Sequence, residues 1–331
     1  MPKVTLASNS KFNKGAPCVE LLKQNGFEVS LTLNDAFSQG LTGDDDVIEK
    51  LNGSDAVIAY GEYYTSKVLD NLPKLKVIAR LGVGFDKINM KSATQNNVAV
   101  TITPNGNHQS VAEHAITLMM SLAKSIVKKD TLLRNGEWNG DNNKPIRGQT
   151  LGIVGLGRIG RSLTTRARGM EMNIIASEPY PNMKFVDENN IKLVELDHLL
   201  SNADFVSIHS PLNEETTGMF NKKKLSLMKK SAYLVNTARG GLIVEKDLID
   251  ILKNHMIAGA GLDVFEEEPT SPQNPLLKLD NVIVSPHMAG NDIQSQIDMG
   301  NEAAQSIIDL YNGKWPEGSI VNKEVKETWN W

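Results

Sequence analysis

The sequence predicts an α/β fold, in which a doubly wound parallel sheet is joined to a second, smaller α/β domain. Short apolar segments alternate with helical patterns, which is typical of parallel strands joined by crossover helices. A glycine-rich turn connects one apolar strand to a helix, and a last helical segment, 291–312, lacks a partner nearby in the sequence. We expect that segment to complete the first domain. The predicted domains are therefore 1–103 with 291–331, and 104–290.

The composition limits the possible functions. The 331 residues carry a formal net charge of −4, which offers no basic field to nucleic acid or to an anionic membrane. No uncharged apolar run approaches the roughly 18 residues of a membrane span, and no signal segment precedes the first strand. One cysteine, Cys18, excludes an internal disulfide and fits a reducing compartment. We expect a cytoplasmic protein that acts on small molecules, with no predicted metal site.

The first domain is predicted to contain four strands, at 4–6, 56–60, 75–81 and 98–103. The acidic run Asp44-Asp45-Asp46 is typical of a helix start. Gly82-Val83-Gly84 follows directly on the third strand, and exposed amides in such a turn can bind an anion such as a carboxylate. From these residues alone a plain turn is an equally good interpretation.

A long helix is predicted from Ser110 to about Arg134. Ser110 and Glu113 match a capping box, in which each side chain accepts from a backbone amide of the other's residue. His114 lies within the apolar part of this helix and is interpreted as a core histidine. The length suits a helix that braces two domains or two subunits.

The glycine turn is the most specific motif in the chain. Gly155 permits the tight turn after the strand, Gly157 allows close approach of a pyrophosphate, and Gly160 allows the helix to pack on the strand. The amides of Arg158 and Ile159 then face an anion at the helix N-terminus. A purely structural turn is the alternative, but the motif has its full strand and helix context.

An acidic residue follows the next strand. Glu178 stands eighteen residues beyond Gly160, close to the roughly 20 expected for an acid that binds the ribose of a dinucleotide. A carboxylate accepts from a 2′-hydroxyl and repels a 2′-phosphate. The sequence therefore predicts NAD(H) as the cofactor, in preference to NADP(H).

Polar residues follow four later strands, predicted at 204–209, 232–236, 257–262 and 282–285. Ligands of doubly wound sheets bind beyond the carboxyl ends of the strands. The residues at those ends are His209, Thr237, Ala238, Arg239, Asp263 and His287.

Arg239, Glu268 and His287 form a set with a chemical logic. Oxidation of a hydroxy acid needs a base for the hydroxyl proton, reduction of the keto acid needs an acid, and histidine serves both near neutral pH. A carboxylate would orient the imidazole, and a guanidinium would bind the substrate carboxylate. Singly, each residue has an ordinary structural interpretation: a surface ion pair, a solvated acidic run or a buried strand end.

Several segments together resemble the D-isomer-specific 2-hydroxyacid dehydrogenase family, in its order and spacing over essentially the whole chain. They are Gly82-Val83-Gly84, Ser110-Val111-Ala112-Glu113-His114, His209-Ser210-Pro211-Leu212 with Thr216, Asn236-Thr237-Ala238-Arg239-Gly240-Gly241, Gly261-Leu262-Asp263 through Glu268-Pro269, and Ser285-Pro286-His287.

The resemblance implies a role for each matching residue. Arg239 would bind substrate, Glu268 would support the histidine, and His287 would exchange the proton. Val83 and Gly84 would offer their amides to the substrate carboxylate. The implied cofactor contacts are His209, Pro211, Thr216, Thr237, Ala238, Asp263 at the nicotinamide end, and Gly290. The family's architecture implies a Rossmann-type NAD domain, a flavodoxin-like substrate domain, a cleft between them, and a homodimer or homotetramer.

The identity of the substrate follows less directly. Similar phosphoglycerate dehydrogenases usually carry a basic or hydroxyl-rich turn where this chain has Tyr60-Gly61-Glu62-Tyr63-Tyr64, and Glu62 would be a poor neighbour for a phosphate. We therefore expect a small unphosphorylated 2-hydroxy or 2-keto acid, with D-3-phosphoglycerate as the alternative. A different class, an NAD(H)-sensing protein similar to corepressors on this scaffold, is a further alternative.

Overall fold

The chain divides into two folded units, of which only one is continuous in sequence. The computed structural model describes residues 1–10, 12–138 and 140–331. Unit 1 comprises Met1–Asn107 and Asn291–Trp331, and unit 2 comprises His108–Gly290. The sequence predicts the first boundary four residues earlier, after residue 103, and the second after residue 290.

The sheet of unit 1 has five parallel strands in the order β2-β1-β3-β4-β5, which is the order of flavodoxin-like sheets. The strands are β1 (Lys3–Leu6), β2 (Glu28–Leu31), β3 (Ala56–Ala59), β4 (Val77–Arg80) and β5 (Ala99–Thr101). The helices between them are α1 (Pro17–Gln24), α2 (Asp35–Gln39), α3 (Asp44–Leu51), α4 (Ser66–Asp70) and α5 (Met90–Gln95). The helix start at Asp44 is confirmed. Strand β2 was not predicted, because this short edge strand buries none of its four residues fully.

The sheet of unit 2 has seven parallel strands in the order β12-β11-β10-β9-β6-β7-β8. They are β6 (Thr150–Val154), β7 (Asn173–Ser177), β8 (Lys192–Leu193), β9 (Phe205–Ile208), β10 (Tyr233–Asn236), β11 (Gly259–Leu262) and β12 (Val282–Val284). The order reverses between β6 and β9, so this is the Rossmann arrangement with one added strand, and the predicted fold class is confirmed. Its switch point lies beside the glycine turn.

Helices flank this sheet. They are α6 (His108–Lys124), α7 (Ile126–Arg134), α8 (Arg158–Gly169), α9 (Met183–Glu188), α10 (Leu196–Asn202), α11 (Lys222–Leu225) and α12 (Glu245–Lys253). The core beneath α6 and α8 includes Leu118, Leu151, Leu163 and Val235, all buried. No helix in the described ranges is long and apolar enough to cross a membrane.

The predicted capping box at Ser110 is wrong. Helix α6 begins two residues earlier, and the Ser110 hydroxyl donates to the carbonyl of Ala289 (2.7 Å). Glu113 pairs with the guanidinium of Arg166 instead of the helix start. The single predicted helix is also interrupted at Ser125, whose positive φ of 50° separates α6 from α7.

The last long helix, α13 (Ile293–Tyr311), packs against α1, β3 and β4 within unit 1. The segment after it continues along the edge strand β5. The Asn322 side chain accepts from the amide of Val100 and donates to the carbonyl of Val98, and the Trp329 indole donates to the carbonyl of Lys76. This segment therefore covers an edge that would otherwise be open to pairing.

Candidate active site

The glycine turn of unit 2 has the backbone that the sequence predicted. Gly155 has a φ of 95°, and a Cβ added there would lie 2.7 Å from the carbonyl carbon of His209. A Cβ on Gly160 would lie 2.3 Å from the Gly155 carbonyl oxygen, so α8 packs directly on the turn. Gly157 caps α8, no side chain caps that helix, and a Cβ on Gly157 would meet open space. The first amides of α8 are therefore open to an anion.

Glu178 lies at the carboxyl end of β7 and contacts the glycine turn. One carboxylate oxygen accepts from the amide of Leu156 (2.7 Å), and the other accepts from the amide of Tyr180 (2.9 Å). A carboxylate can accept about four hydrogen bonds, so capacity remains for a ribose hydroxyl. Glu178 thus also holds the turn, which sequence reasoning did not foresee.

Two buried polar atoms at the carboxyl ends of β9 and β10 lack partners within the described residues. They are Nδ1 of His209, after β9, and the hydroxyl of Thr237, after β10. Buried polar atoms are almost always hydrogen-bonded, so unpaired ones at a sheet edge fit a bound ligand. Burial lowers the pKa of His209 to about 3, and its Nε2 lies 2.8 Å from the Ser207 hydroxyl. The ring is therefore neutral at physiological pH. The uncapped helix, the open Gly157 and these unpaired atoms together fit a dinucleotide.

The remaining predicted cofactor residues lie on the same edge. The Thr216 hydroxyl donates to the carbonyl of Pro211 (2.7 Å) and closes the loop after β9. The amide of Ala238 donates to the Asn236 side chain. Gly290 is the final residue of unit 2.

His287 and Glu268 form a close pair. His287 Nδ1 lies 2.6 Å from one carboxylate oxygen of Glu268, and the other oxygen accepts from the amide of Phe265 (3.0 Å). Partial burial acts to raise the pKa of Glu268, but the His287 hydrogen bond and charge, the Phe265 amide and the Arg239 charge together hold it below its ordinary value. Glu268 is therefore ionised and orients the imidazole, which leaves Nε2 as the nitrogen that can exchange a proton.

Arg239 follows β10, and its backbone is held by a buried side chain. Asn236, fully buried, donates to the carbonyl of Arg239 (2.8 Å) and accepts from the amide of Ala238 (3.0 Å). The guanidinium donates to the carbonyl of Ala238 (2.7 Å). Sequence reasoning did not single out Asn236, because an asparagine at a strand end is equally typical of an ordinary turn.

Asp263 has a role in the structure that the sequence did not suggest. This fully buried carboxylate accepts from the amides of Met288 (2.9 Å) and Ala289 (2.8 Å) and from the hydroxyl of Ser285 (2.6 Å). It therefore fixes the loop that carries His287. A contact between Asp263 and the cofactor is not tested by these bonds and stays a prediction.

The second glycine turn belongs to unit 1. Gly82 has a φ of 113°, and its amide donates to the hydroxyl of the buried Thr103 (2.7 Å). Val83 and Gly84 come next and are partly exposed. Thr103 is thus a second holding residue that sequence reasoning missed.

The inference drawn from Glu62 is wrong. Glu62 is 2 % exposed, and its carboxylate accepts from the Tyr64 hydroxyl (2.6 Å) and the amide of Tyr60 (3.1 Å). Burial, partly offset by these hydrogen bonds, raises the pKa of Glu62. Because this side chain points into the core of unit 1, it does not present a negative charge to a ligand.

No group of residues suited to hold a metal ion occurs in the described ranges.

The sheet order, the uncapped helix after the glycine turn and the histidine–carboxylate pair fit the class of dinucleotide-dependent oxidoreductases. A family model described as "D-isomer specific 2-hydroxyacid dehydrogenase, NAD binding domain" matches residues 116–289. The chain therefore belongs to the D-isomer specific 2-hydroxyacid dehydrogenases, whose NAD-binding domain it contains. The predicted family and NAD as the cofactor are confirmed, and the preference for NAD over NADP stays a prediction.

Individual relatives agree with this assignment. The chain is 35% identical to D-3-phosphoglycerate dehydrogenase of Archaeoglobus fulgidus over 92% of its own length and 57% of that protein's. It is 38% identical to glyoxylate reductase of Korarchaeum cryptofilum over 84% of its own length and 86% of that protein's. The apo structure of Escherichia coli D-lactate dehydrogenase superposes with a TM-score of 0.81 at 26% identity, covering 96% of this chain and all of that one. The chain thus spans little more than half of the first relative and most of the second.

Proposed function

We propose that this chain catalyses reversible hydride transfer between NAD(H) and a small unphosphorylated 2-hydroxy or 2-keto acid. The observation that carries the proposal is the 2.6 Å contact between His287 Nδ1 and Glu268, at the sheet edge that also carries the glycine turn. An ionised carboxylate that holds one ring nitrogen leaves the other free for acid–base work.

The proposed chemistry assigns one task to each residue. When bound, NADH would supply the hydride that reduces the carbonyl carbon of the substrate. His287 Nε2 donates the proton to the carbonyl oxygen, and it accepts that proton in the reverse reaction. Glu268 orients the ring through its hydrogen bond with Nδ1. Arg239 binds the substrate carboxylate, and the amides of Val83 and Gly84 in unit 1 are further donors suited to a carboxylate.

The remaining contacts concern the cofactor. We propose that the amides of Arg158 and Ile159 bind the diphosphate beside Gly155, Gly157 and Gly160, and that Glu178 binds the adenosine ribose. The other proposed contacts are His209, Pro211, Thr216, Thr237, Ala238, Asp263 and Gly290. Support comes from the unpaired buried atoms of His209 and Thr237.

The proposed preference for NAD over NADP is tested at Glu178. Glu178→Gln removes the negative charge that would repel a 2′-phosphate but keeps an acceptor for the Leu156 amide. We expect the ratio of kcat/KM for NADH to that for NADPH to fall by about tenfold or more. An unchanged ratio would show that the carboxylate does not select the cofactor.

The choice of substrate has two candidates. A small acid such as glyoxylate is favoured by the relative of similar length, whose name is glyoxylate reductase. D-3-phosphoglycerate is the second candidate, because Lys87 donates to the carbonyl of Gly61 (2.7 Å) and so brings a positive charge to the 60–64 turn. Because Glu62 is buried, its carboxylate does not face a phosphate at the surface of this turn.

A substrate panel tests the proposal directly. Oxidation of NADH is followed with glyoxylate, hydroxypyruvate, pyruvate, 2-oxoglutarate and phosphohydroxypyruvate, ranked by kcat/KM. We expect glyoxylate or hydroxypyruvate to rank first; phosphohydroxypyruvate in first place would favour the second candidate. An NAD(H)-sensing protein would turn over none of them.

A variant pair tests the role of His287. We expect His287→Ala to lower kcat by about 10²–10⁴-fold while NADH still binds, because a positioned proton donor is lost. His198→Ala, which changes an exposed histidine on α10, is the matched control and should retain full activity. Near-normal turnover by His287→Ala would refute the assigned role.

We propose a homodimer formed through α7. Support comes from the exposed apolar residues Ile126, Val127 and Leu133 on this helix, which buries none of its residues, and from Trp138 just beyond it. The mass in solution, measured by light scattering, should be twice that of the chain and should halve in Ile126→Lys/Leu133→Lys. A tetramer would require a second surface.

We also propose a cytoplasmic location, because the single cysteine, Cys18, is buried and free, as suits a reducing compartment. Fractionation of the source cells tests this: recovery of the protein with the cytoplasmic fraction is expected, and recovery outside the cell would refute it.

A further inference from the structure

Asp263 accepts most of the backbone hydrogen bonds that hold the loop carrying His287. Three consecutive amides, those of His287, Met288 and Ala289, donate to Asp263: the first to its backbone carbonyl (2.8 Å), the others to its two carboxylate oxygens. His287 itself has a φ of 54°, a conformation that costs a non-glycine residue free energy. The orientation of Asp263 therefore contributes directly to holding this backbone.

Asp263 is in turn oriented by a chain of two side chains. The Ser285 hydroxyl donates to Asp263 Oδ1 (2.6 Å), and His114 Nε2 lies 2.8 Å from the same hydroxyl oxygen. A hydroxyl has only one proton, so Ser285 must accept from His114. His114 therefore carries its proton on Nε2, and the hydrogen bonds run in one direction, from His114 to Ser285 to Asp263.

His114 is fixed by the helix that carries it. Helix α6 contacts β11 so closely that a Cβ on Gly261 would lie 2.9 Å from Leu118 Cβ. Gly261 is two residues before Asp263, so the helix and the carboxylate have a well-defined separation. The Ser110 hydroxyl, on the same helix, donates to the Ala289 carbonyl at the far end of the loop (2.7 Å). Helix α6 thus binds the loop at both ends.

We propose that His114 and Ser285 are positioning residues for His287, acting through Asp263. The inference rests on the proposed function, because it takes His287 as the acid–base group. The sequence interprets His114 as a core histidine. In the structure its side chain is 25 % exposed and is hydrogen-bonded to Ser285, so it has a contact with the loop beyond packing in the core. Neither residue touches the reacting atoms in this proposal.

The test compares variants that break the hydrogen-bond chain with variants that restore it. Ser285→Ala and His114→Ala each remove one member. Ser285→Thr keeps the hydroxyl, and His114→Gln keeps an N–H donor near the position of Nε2. Thr117→Val is the matched control on α6, because the Thr117 hydroxyl donates to the Glu113 carbonyl within the helix.

We expect kcat for reduction of the best oxo acid to fall about 10–100-fold in Ser285→Ala and in His114→Ala, because a misplaced acid–base group typically costs about this much. KM for NADH should change less than about threefold. Ser285→Thr and His114→Gln should recover most of the lost kcat, and Thr117→Val should match the parent enzyme. If the alanine variants lose kcat only because they fold poorly, their melting temperature should fall, and Ser285→Thr and His114→Gln should fail to restore kcat. That result would contradict the proposed positioning role.

The double variant Ser285→Ala/His114→Ala gives a second, independent measurement. Residues that act through one chain are not additive, so the double variant should lose no more kcat than the worse single variant. Losses that multiply would overturn the proposal, as would unchanged kcat in both single variants while His287→Ala is inactive. Unchanged turnover in His287→Ala would instead refute the proposed function itself.

Discussion

Two turns in this chain share the pattern Gly-x-Gly after a buried parallel strand, and they differ in the segment beyond the second glycine. In unit 2, Gly155-Leu156-Gly157 leads at once into α8, whose first amides no side chain caps. In unit 1, Gly82-Val83-Gly84 leads into an irregular segment before α5. Both first glycines have a positive φ, 95° and 113°. The first glycines of the two turns therefore have similar backbone conformations, but the segments that follow the turns differ.

The residue three positions after the second glycine explains the difference between the two turns. Gly160 stands three residues after Gly157 and lets α8 approach the turn, whereas Lys87 stands three residues after Gly84. A helix N-terminus adds its dipole to several aligned amides, which suits a diphosphate. An isolated turn offers only a few amides, which suits a single carboxylate. The glycine pair alone thus predicts a turn, and the helix after it predicts a dinucleotide site.

The largest effect is expected when the first glycine of each turn is replaced by alanine. Gly155→Ala adds a Cβ 2.7 Å from the His209 backbone, whereas Gly82→Ala adds one 3.7 Å from the Asn107 side chain. Both strain the backbone, by about 1–3 kcal/mol, but only the first also forces backbone atoms apart. Urea unfolding should show a greater loss for Gly155→Ala, with loss of NADH binding. Equal losses would contradict the comparison.

A smaller effect is expected from the residue that holds the turn of unit 1. Thr103→Val leaves the buried Gly82 amide without its acceptor and should cost about 1–3 kcal/mol of unfolding free energy. Thr101→Val is the matched control, because that buried hydroxyl has no partner in the described part of the chain and its loss should be neutral or stabilising. KM for the oxo acid should rise in Thr103→Val while the Kd for NADH stays unchanged; a parallel rise in that Kd would contradict separate roles for the turns.

The two turns should also differ in their response to acid. The turn of unit 2 contacts His209, and burial lowers the pKa of this histidine to about 3. The turn of unit 1 contacts Thr103, which does not titrate. Below about pH 6.5 the unfolded chain takes up a proton at His209 that the folded chain does not. Stability therefore falls as the pH falls, by on the order of 1 kcal/mol per pH unit.

Melting temperatures at pH 7.5 and pH 5, without cofactor, measure this effect. The difference between the two should shrink in His209→Gln and stay unchanged in His198→Gln, which alters an exposed histidine. An equal acid sensitivity in His209→Gln would place the titrating group elsewhere.

The smallest effect on stability is expected at Gly157. A Cβ there meets no atom of the described residues within 4 Å, and φ is ordinary at −69°. Gly157→Ala should leave the unfolding free energy within about 0.5 kcal/mol of the parent, yet raise the Kd for NADH by about tenfold or more, because the methyl occupies the space of the diphosphate. Unchanged NADH affinity would remove the role proposed for this glycine.

Much of the fold could be predicted from local pattern. The unit β6–α8–β7 was predicted from Gly155, Gly160 and Glu178, because its apolar strands, glycines and helix are adjacent in sequence. The edge strands β2 and β8 were missed, since partly buried short segments carry little hydrophobic periodicity. The break at Ser125 was missed because no glycine or proline marks it.

The site was predicted less completely, for a physical reason. His287 and Glu268 could be proposed because both stand after strands and their chemistry is distinctive. The holding residues Asn236, Thr103 and Ser285 could not, because each is a small polar residue whose partner is set only by folding. Ser285 and His114 are 171 residues apart, and no local pattern joins them. Ser110 was misassigned because the capping-box pattern fits it locally, while its hydroxyl is used in the tertiary structure.

The route of the chain through unit 1 has a consequence for synthesis. Ala303, Ile307 and Val325 complete the core over Val4 and Val77, with all of unit 2 lying between the two segments. As the ribosome delivers the chain, unit 2 can fold once about residue 290 has emerged. The apolar surface of the amino-terminal strands stays exposed until α13 and the segment beyond it have been synthesised. Synthesis of unit 1 therefore begins before that of unit 2, but its core is completed later. For this reason unit 1 has the greater need of a chaperone.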